Sequence, residues 1–313
     1  MTSVILLWSL IFVISLAVLI KSSDFFTESA EVLGLFFRLP SFIVGVLLLS
    51  IGTSLPELLS SLVAIFNNSS EIVFGNVLGS NIANIFLIVG VAAVFSKGLI
   101  LEYDLTKVDL PLLLGSALLF ILAVINEQFS QGEAIFCLLG YVVYLFYTLS
   151  HRTEEEDTEN PHTQTFPLKA ALVLVTSCFG LYFGAVYTIE SVTQISQVLN
   201  IGKHIIAVSA VALGTSLPEL MVSLNAARKG NAEMALGNVV GSNIFNSLVV
   251  MGIPGLITQL EINHDLLIIG LPFFAAGTLL FYTVTQDQHI TQWEGLLFFV
   301  FYGLFIAKFF NLV

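Results

Sequence analysis

Residues 52–58 read GTSLPEL, and so do residues 214–220. At the same offset of 162, Gly75-Asn76-Val77 returns as Gly237-Asn238-Val239, and Gly79-Ser80-Asn81-Ile82 returns as Gly241-Ser242-Asn243-Ile244. Asn84 returns as Asn246 and Gly90 as Gly252. About 20 of the 40 positions in 51–90 are identical in 213–252 with no gap, which chance does not produce. A chain that repeats itself over this length is built from two copies of one unit, so any architecture proposed for it has to be built twice.

The medium around that architecture follows from composition. Of 313 residues, 57% are hydrophobic and 10% charged, whereas a water-soluble domain carries about a quarter charged. A bilayer core takes about 20 apolar residues per helix. Polar breaks then predict ten spans, near 3–23, 41–65, 72–95, 108–125, 133–150, 168–190, 204–227, 235–257, 264–284 and 292–311. The N-terminus has no basic leader or cleavage site and reads as a first span. The expected fold is an all-α integral membrane protein in three parts. Residues 1–150 form a first five-helix repeat, 151–167 an acidic linker and 168–313 a second five-helix repeat.

Five spans per copy is an odd number, so the second copy enters the membrane from the opposite side. Such inverted repeats typify secondary transporters with a site near the bilayer midplane. With the N-terminus outside, Lys21, Arg38, Lys97, Lys107, Arg152, Lys169, Arg228 and Lys229 fall at cytoplasmic ends, and only Lys203 and Lys308 fall outside. The positive-inside rule therefore places both termini outside the cytoplasm of a cell membrane. A net charge of −12 argues against nucleic acid as a partner, and no obligate protein partner is evident.

Glu57 and Glu219 each lie near the middle of an apolar span. A charge there costs roughly 2.5–3.5 kcal/mol, and such residues are expected to be functional. No Lys or Arg sits at comparable depth. Two buried carboxylates without a basic partner call for protons or a cation, and a divalent ion neutralises the pair with the oxygen ligands that suit Ca²⁺. Pro56 and Pro218 precede the glutamates and, with Gly52 and Gly214, are expected to break each helix, freeing carbonyls near Thr53 and Thr215. Helical spacing puts Thr53, Ser54 and Glu57 on one face, and likewise Ser80 with Asn84 and Ser242 with Asn246. The Gly75–Gly79 and Gly237–Gly241 spacings let helices approach closely. For Asn81 and Asn243, interhelical hydrogen bonding and ion contact stand as equal readings. Cys137 and Cys178 read as small buried hydrophobes. His151, His162, His204, His264 and His289 sit in loops or at span ends and read as interfacial.

The paired GTSLPE and GN-V-x-GSN-I motifs resemble the α-repeats of the cation/Ca²⁺ exchanger superfamily, specifically the prokaryotic sodium/calcium exchangers. The resemblance extends over nearly the whole chain. It implies no enzyme and no cofactor, but an antiporter that exchanges Ca²⁺ for Na⁺ by alternating access. It implies that Glu57 and Glu219 bind both ions, that Thr53 and Thr215 contribute backbone carbonyls, and that Ser54, Ser216, Ser80 and Ser242 contribute hydroxyls. It further implies that Ser50 and Ala212 offer a carbonyl each, and that the first and sixth spans, near 3–23 and 168–190, move to switch access. Many relatives carry Asp where this chain has Asn246, opposite Asn84, so the centre here holds two ionisable groups. Exchange of Ca²⁺, or of divalent cations more broadly, for H⁺ is the alternative within transport. A passive channel would not need the inverted repeat, and an intramembrane carboxylate enzyme would need a substrate-sized cleft.

Overall fold

The computed structural model describes residues 2–102, 109–150, 166–198, 216–310 and 312. Ten helices follow the ten expected spans: α1 (Thr2–Phe37), α2 (Ser41–Phe66), α3 (Ile72–Phe95), α4 (Asp109–Val124), α5 (Gln131–Ser150), α6 (Leu168–Val198), α7 (Leu217–Arg228), α8 (Ala232–Ile257), α9 (His264–Val284) and α10 (Gln292–Phe309). Eight of the stretches are long and apolar enough to cross a bilayer, and α4 is apolar but shorter. Only the last part of the expected span 204–227 lies among the described residues, as α7. Most of the linker (151–165) lies outside them.

Burial sorts the helices into an inner and an outer set. The apolar windows of α8 and α3 are 83% and 78% buried, whereas that of α1 is 11% buried. The outer helices turn large apolar side chains such as Leu10, Val13, Phe146, Phe179 and Val300 outward, as a lipid-facing surface requires. The inner helices carry the motifs.

Among the described residues, four two-residue strands preserve the symmetry of the repeat. β1 (Leu99–Ile100) pairs with β4 (His289–Ile290), and β2 (Gln128–Phe129) pairs with β3 (Leu260–Glu261). The offset of 162 carries the Leu99–Ile290 pair onto the Glu261–Gln128 pair, as a two-fold axis between the halves demands. The ribbons mark two ends of the bundle. At one end, Lys229 pairs with Glu28 at 2.9 Å, Asn231 donates to Glu31 and Arg228 sits over the Phe95 ring. At the other, His264 meets Glu127 at 2.6 Å and Gln131 donates to the Leu256 carbonyl. Span ends alternate between these two groups, which is the inverted topology expected from the odd span count.

Two helices outrun their sequence-based limits. α1 continues fourteen residues past the expected end at 23, to Phe37, and α6 runs to Val198 instead of 190. The polar residues that read as a loop after position 23 are held on the helix by partners elsewhere. Ser23 Oγ donates to the Met221 carbonyl, Asn225 to Thr27 Oγ1, and Glu28 and Glu31 meet Lys229 and Asn231. α1 and α6 also pack along each other. A Cβ on Gly184 would lie 2.9 Å from Leu19 Cα, and Thr188 Oγ1 donates to Ser15 Oγ at 3.0 Å.

The expected break at Gly52–Pro56 takes another form. α-Helical geometry runs through Pro56 from Ser50 to Phe66, and the loosened backbone is a π-helical turn just before it, at Gly45–Leu49. Further π turns lie at Asn84–Ile88 and Asn246–Val250, one repeat apart. Such turns recur at functional sites because they widen the ladder locally. In the second half, α7 starts at Leu217 with Pro218 in its first turn, so Glu219 does stand at a helix start.

Candidate cation site

Proline 56 lacks the N–H that would bond the Gly52 carbonyl, and the π turn of α2 redirects a further stretch of backbone. Pro56 adjoins Glu57, and the π turn lies about two helical turns earlier on the same helix. Glu57 is fully buried in α2 and Glu219 is 1% exposed in α7. The halves meet here: Ser54 Oγ, from the first repeat, donates to Glu219 Oε1, from the second, at 3.1 Å. Thr53 Oγ1 reaches across to Asn238 Oδ1 at 3.3 Å and to the Ser50 carbonyl at 3.4 Å. The Ser50 hydroxyl is taken by the Val46 carbonyl. The hydroxyl protons of Ser50 and Thr53 are thus directed to protein acceptors.

The asparagines form a second layer. Asn84 Nδ2 donates to Asn243 Oδ1 at 3.0 Å, Asn243 Nδ2 to the Asn81 carbonyl at 3.4 Å, and Asn81 Nδ2 to Ser247 Oγ at 2.8 Å. Asn81 and Asn243 thus make the interhelical bonds that were one of their two readings. Asn84 spends its donor on this layer, which leaves its oxygen for the centre.

Several buried atoms have no protein partner among the described residues: Glu219 Oε2, Ser216 Oγ, Ser242 Oγ, Asn84 Oδ1 and both side-chain polar atoms of Asn246. A buried polar group without a partner is costly, and all but the Asn246 amide nitrogen are oxygens. Ser80 is buried as well. Among the described residues no three of His, Cys, Asp and Glu cluster to hold a metal. The candidate donors are thus two carboxylates with neutral oxygens, hard groups suited to Na⁺ or Ca²⁺ and unsuited to soft metals. Cys137 and Cys178 are free cysteines, buried and half-buried. Thr215 and Ala212 lie outside the described residues.

The small-residue spacing acts differently in the two halves. A Cβ on Gly237 would lie 2.3 Å from the Phe42 carbonyl oxygen, and one on Gly241 2.6 Å from the Val46 carbonyl. Gly45 returns the contact, with the Met234 carbonyl 2.4 Å from its Cβ position. The backbone of α8 therefore lies directly against the π turn of α2. At Gly75 the nearest described atom is only the end of the Leu266 side chain, at 3.2 Å.

Asn76, Asn238 and Ser247 belong to the hydrogen-bonded surround of the site and were not among the residues expected there. Asn76 and Asn238 had a signal, being duplicated amides inside apolar spans. Ser247 had none, since its counterpart in the first repeat is Ile85.

A family model described as sodium/calcium exchanger protein matches residues 7–150 and 169–311. The sodium/calcium exchanger MaX1 of Methanosarcina acetivorans is 34% identical, over 96% of this chain and 98% of the relative. The inner membrane protein YrbG of Escherichia coli is 32% identical over 82% of each chain. A solved structure of the sodium-calcium exchanger NCX_Mj, soaked with Na⁺ and Sr²⁺, matches with a TM-score of 0.84 at 30% identity, covering 97% of this chain and 99% of that one. Another, soaked with Na⁺ and Ca²⁺, matches at 0.82 over 96% and 98%.

Proposed function

The chain belongs to the sodium/calcium exchanger family, and we propose that it is a secondary active antiporter that exchanges Ca²⁺ for Na⁺ across a cell membrane by alternating access. One observation carries the reading. Two buried glutamates come from oppositely inserted halves, and Ser54 of one half is bonded to Glu219 of the other.

In this reading Glu57 and Glu219 ligate both ions. Thr53, Thr215, Ser50 and Ala212 offer carbonyls, Ser54, Ser216, Ser80 and Ser242 hydroxyls, and Asn84 and Asn246 amide oxygens. Two carboxylates balance one Ca²⁺, so Ca²⁺ and Na⁺ compete for the same charge, which is the condition for exchange. α1 and α6 move together across the inner helices, a role supported by their close packing at Gly184. The end that gathers Lys97, Arg228 and Lys229 faces the cytoplasm, which leaves both termini outside.

Ca²⁺ uptake into proteoliposomes under an outward Na⁺ gradient, with pH clamped, tests the reading. The expected result is uptake that collapses when Na⁺ is replaced by choline. Uptake indifferent to Na⁺ and driven by a pH gradient overturns it in favour of H⁺ exchange. Asn246→Asp adds a third carboxylate at the centre and is expected to change the Na⁺ or pH dependence of uptake while leaving the thermal midpoint in detergent nearly unaltered. An unchanged ion profile counts against Asn246 as a ligand.

A further inference from the structure

Asn238 is fully buried and uses both ends of its amide. Its Nδ2 donates to the Glu219 backbone carbonyl at 3.4 Å and to Ser223 Oγ at 2.8 Å, while its Oδ1 accepts from Thr53 Oγ1 at 3.3 Å. One repeat earlier, Asn76 Nδ2 donates to the Glu57 backbone carbonyl at 3.2 Å, to Ser60 Oγ at 3.1 Å and to Ser61 Oγ at 3.2 Å. Ser61 and Ser223 are themselves one repeat apart. Although Asn76 is only half-buried, the equivalent bond to the equivalent glutamate forms in each half, so it does not depend on one local packing arrangement.

The chemistry of these positions is narrow. Each needs a donor aimed at a carbonyl, and position 238 also needs an acceptor for a threonine hydroxyl. A side-chain amide supplies both. A carboxylate of the same size has no donor when ionised and would face the carbonyl with a second negative group, while leucine supplies neither function. The bonded carbonyl belongs to the residue whose side chain is the proposed ion ligand, and Asn238 lies one helical turn before Ser242 on α8.

We propose that Asn238 and Asn76 are positioning residues for ion binding. Each ties the backbone of its half's glutamate to the helix that carries that half's serine and asparagine ligands. Asn238 also ties in Thr53, so it sets the spacing between ligand groups of both halves. This rests on the reading of Glu57 and Glu219 as ion ligands. A looser frame leaves every ligand in place but lowers the fraction of time in which they converge. Ion affinity should therefore fall while ion release, and with it maximal turnover, does not.

The test measures Ca²⁺ binding calorimetrically on the purified full chain in detergent and Na⁺-driven Ca²⁺ uptake in proteoliposomes, for wild type, Asn238→Ala, Thr53→Val and their combination. Asn238→Ala is expected to raise half-saturating Ca²⁺ about tenfold, the scale of one lost buried hydrogen bond, with the maximal rate held within about twofold. Thr53→Val, which keeps its carbonyl, shifts the same parameter less, and the pair is less than additive because both act on one amide. A fall in folded yield and maximal rate with half-saturation unchanged overturns the proposal, as does strict additivity. If Asn238→Ala yields no folded protein, Asn76→Ala and Ser223→Ala are judged by the same split between affinity and rate. Wild type that neither binds Ca²⁺ nor exchanges it overturns the reading of the glutamates. Binding wild type with variants of unaltered half-saturation overturns the positioning role alone.

Discussion

Glu219→Gln is expected to abolish Ca²⁺ transport and leave a folded protein, and Glu57→Gln to do the same. Glutamine keeps the shape of the side chain, and its amide oxygen still accepts the Ser54 hydroxyl that reaches Glu219 at 3.1 Å. Packing at these buried positions is therefore preserved. What changes is charge. With one carboxylate left, a bound Ca²⁺ carries an uncompensated positive charge at membrane depth. A buried charge costs roughly 2.5–3.5 kcal/mol, about a hundredfold in occupancy. Radioactive Ca²⁺ uptake checks the loss, and the thermal unfolding midpoint in detergent checks that the fold survives. Transport retained by either variant removes that glutamate from the site. The two variants test different halves, so they also test whether the halves contribute one carboxylate each to a shared ion.

Much of this was legible in the chain alone, because its information is written twice. The duplicated GTSLPEL located both glutamates, and five spans per copy gave the inversion that the strand pairs Leu99–Ile290 and Gln128–Glu261 display. What the repeat could not say is which atom of one half meets which atom of the other. The bond from Ser54 to Glu219, and the reach of Thr53 to Asn238, depend on how the copies dock. The end of α1 is hidden from the sequence for a related reason. Asp24, Glu28 and Glu31 look like a loop when only lipid or water is considered as a neighbour. Glu28 and Glu31 in fact meet Lys229 and Asn231 in the turn after α7, Ser23 and Thr27 meet α7 itself, and the four-residue spacing of Ser23, Thr27 and Glu31 is the available sign of a polar helical stripe. The π turn at Gly45–Leu49 had no comparable sign, because GVLLL is ordinary membrane-helix sequence. Proline 56 drew the expectation of a break, yet one missing backbone bond was absorbed without ending the helix.

Gly237→Ala should be the most damaging single-methyl change in the inner helices. Its Cβ would lie 2.3 Å from the Phe42 carbonyl oxygen and 3.1 Å from the Val46 amide nitrogen. Both atoms belong to the backbone of α2, so no rotamer change can relieve the clash and the helices must separate. Overpacking of this kind costs about 1–3 kcal/mol or more. Gly270→Ala provides the contrast, because its nominal contact of 2.4 Å is with the tip of the Leu78 side chain, which can turn aside. The expected result is a thermal midpoint lowered well below wild type for Gly237→Ala and only slightly for Gly270→Ala. Transport should fall further than the midpoint alone implies, since Ser242 and Asn246 lie on α8 beyond Gly237, and Ser50, Thr53 and Glu57 lie on α2 beyond Phe42. Separating α8 from α2 therefore draws one proposed ligand group away from the other, and a displacement near 1 Å is enough to cost about a hundredfold in a site that depends on convergence. Equal midpoints for the two glycine variants, or wild-type transport by Gly237→Ala, would show that the contact between α8 and the π turn does not set the geometry of the site.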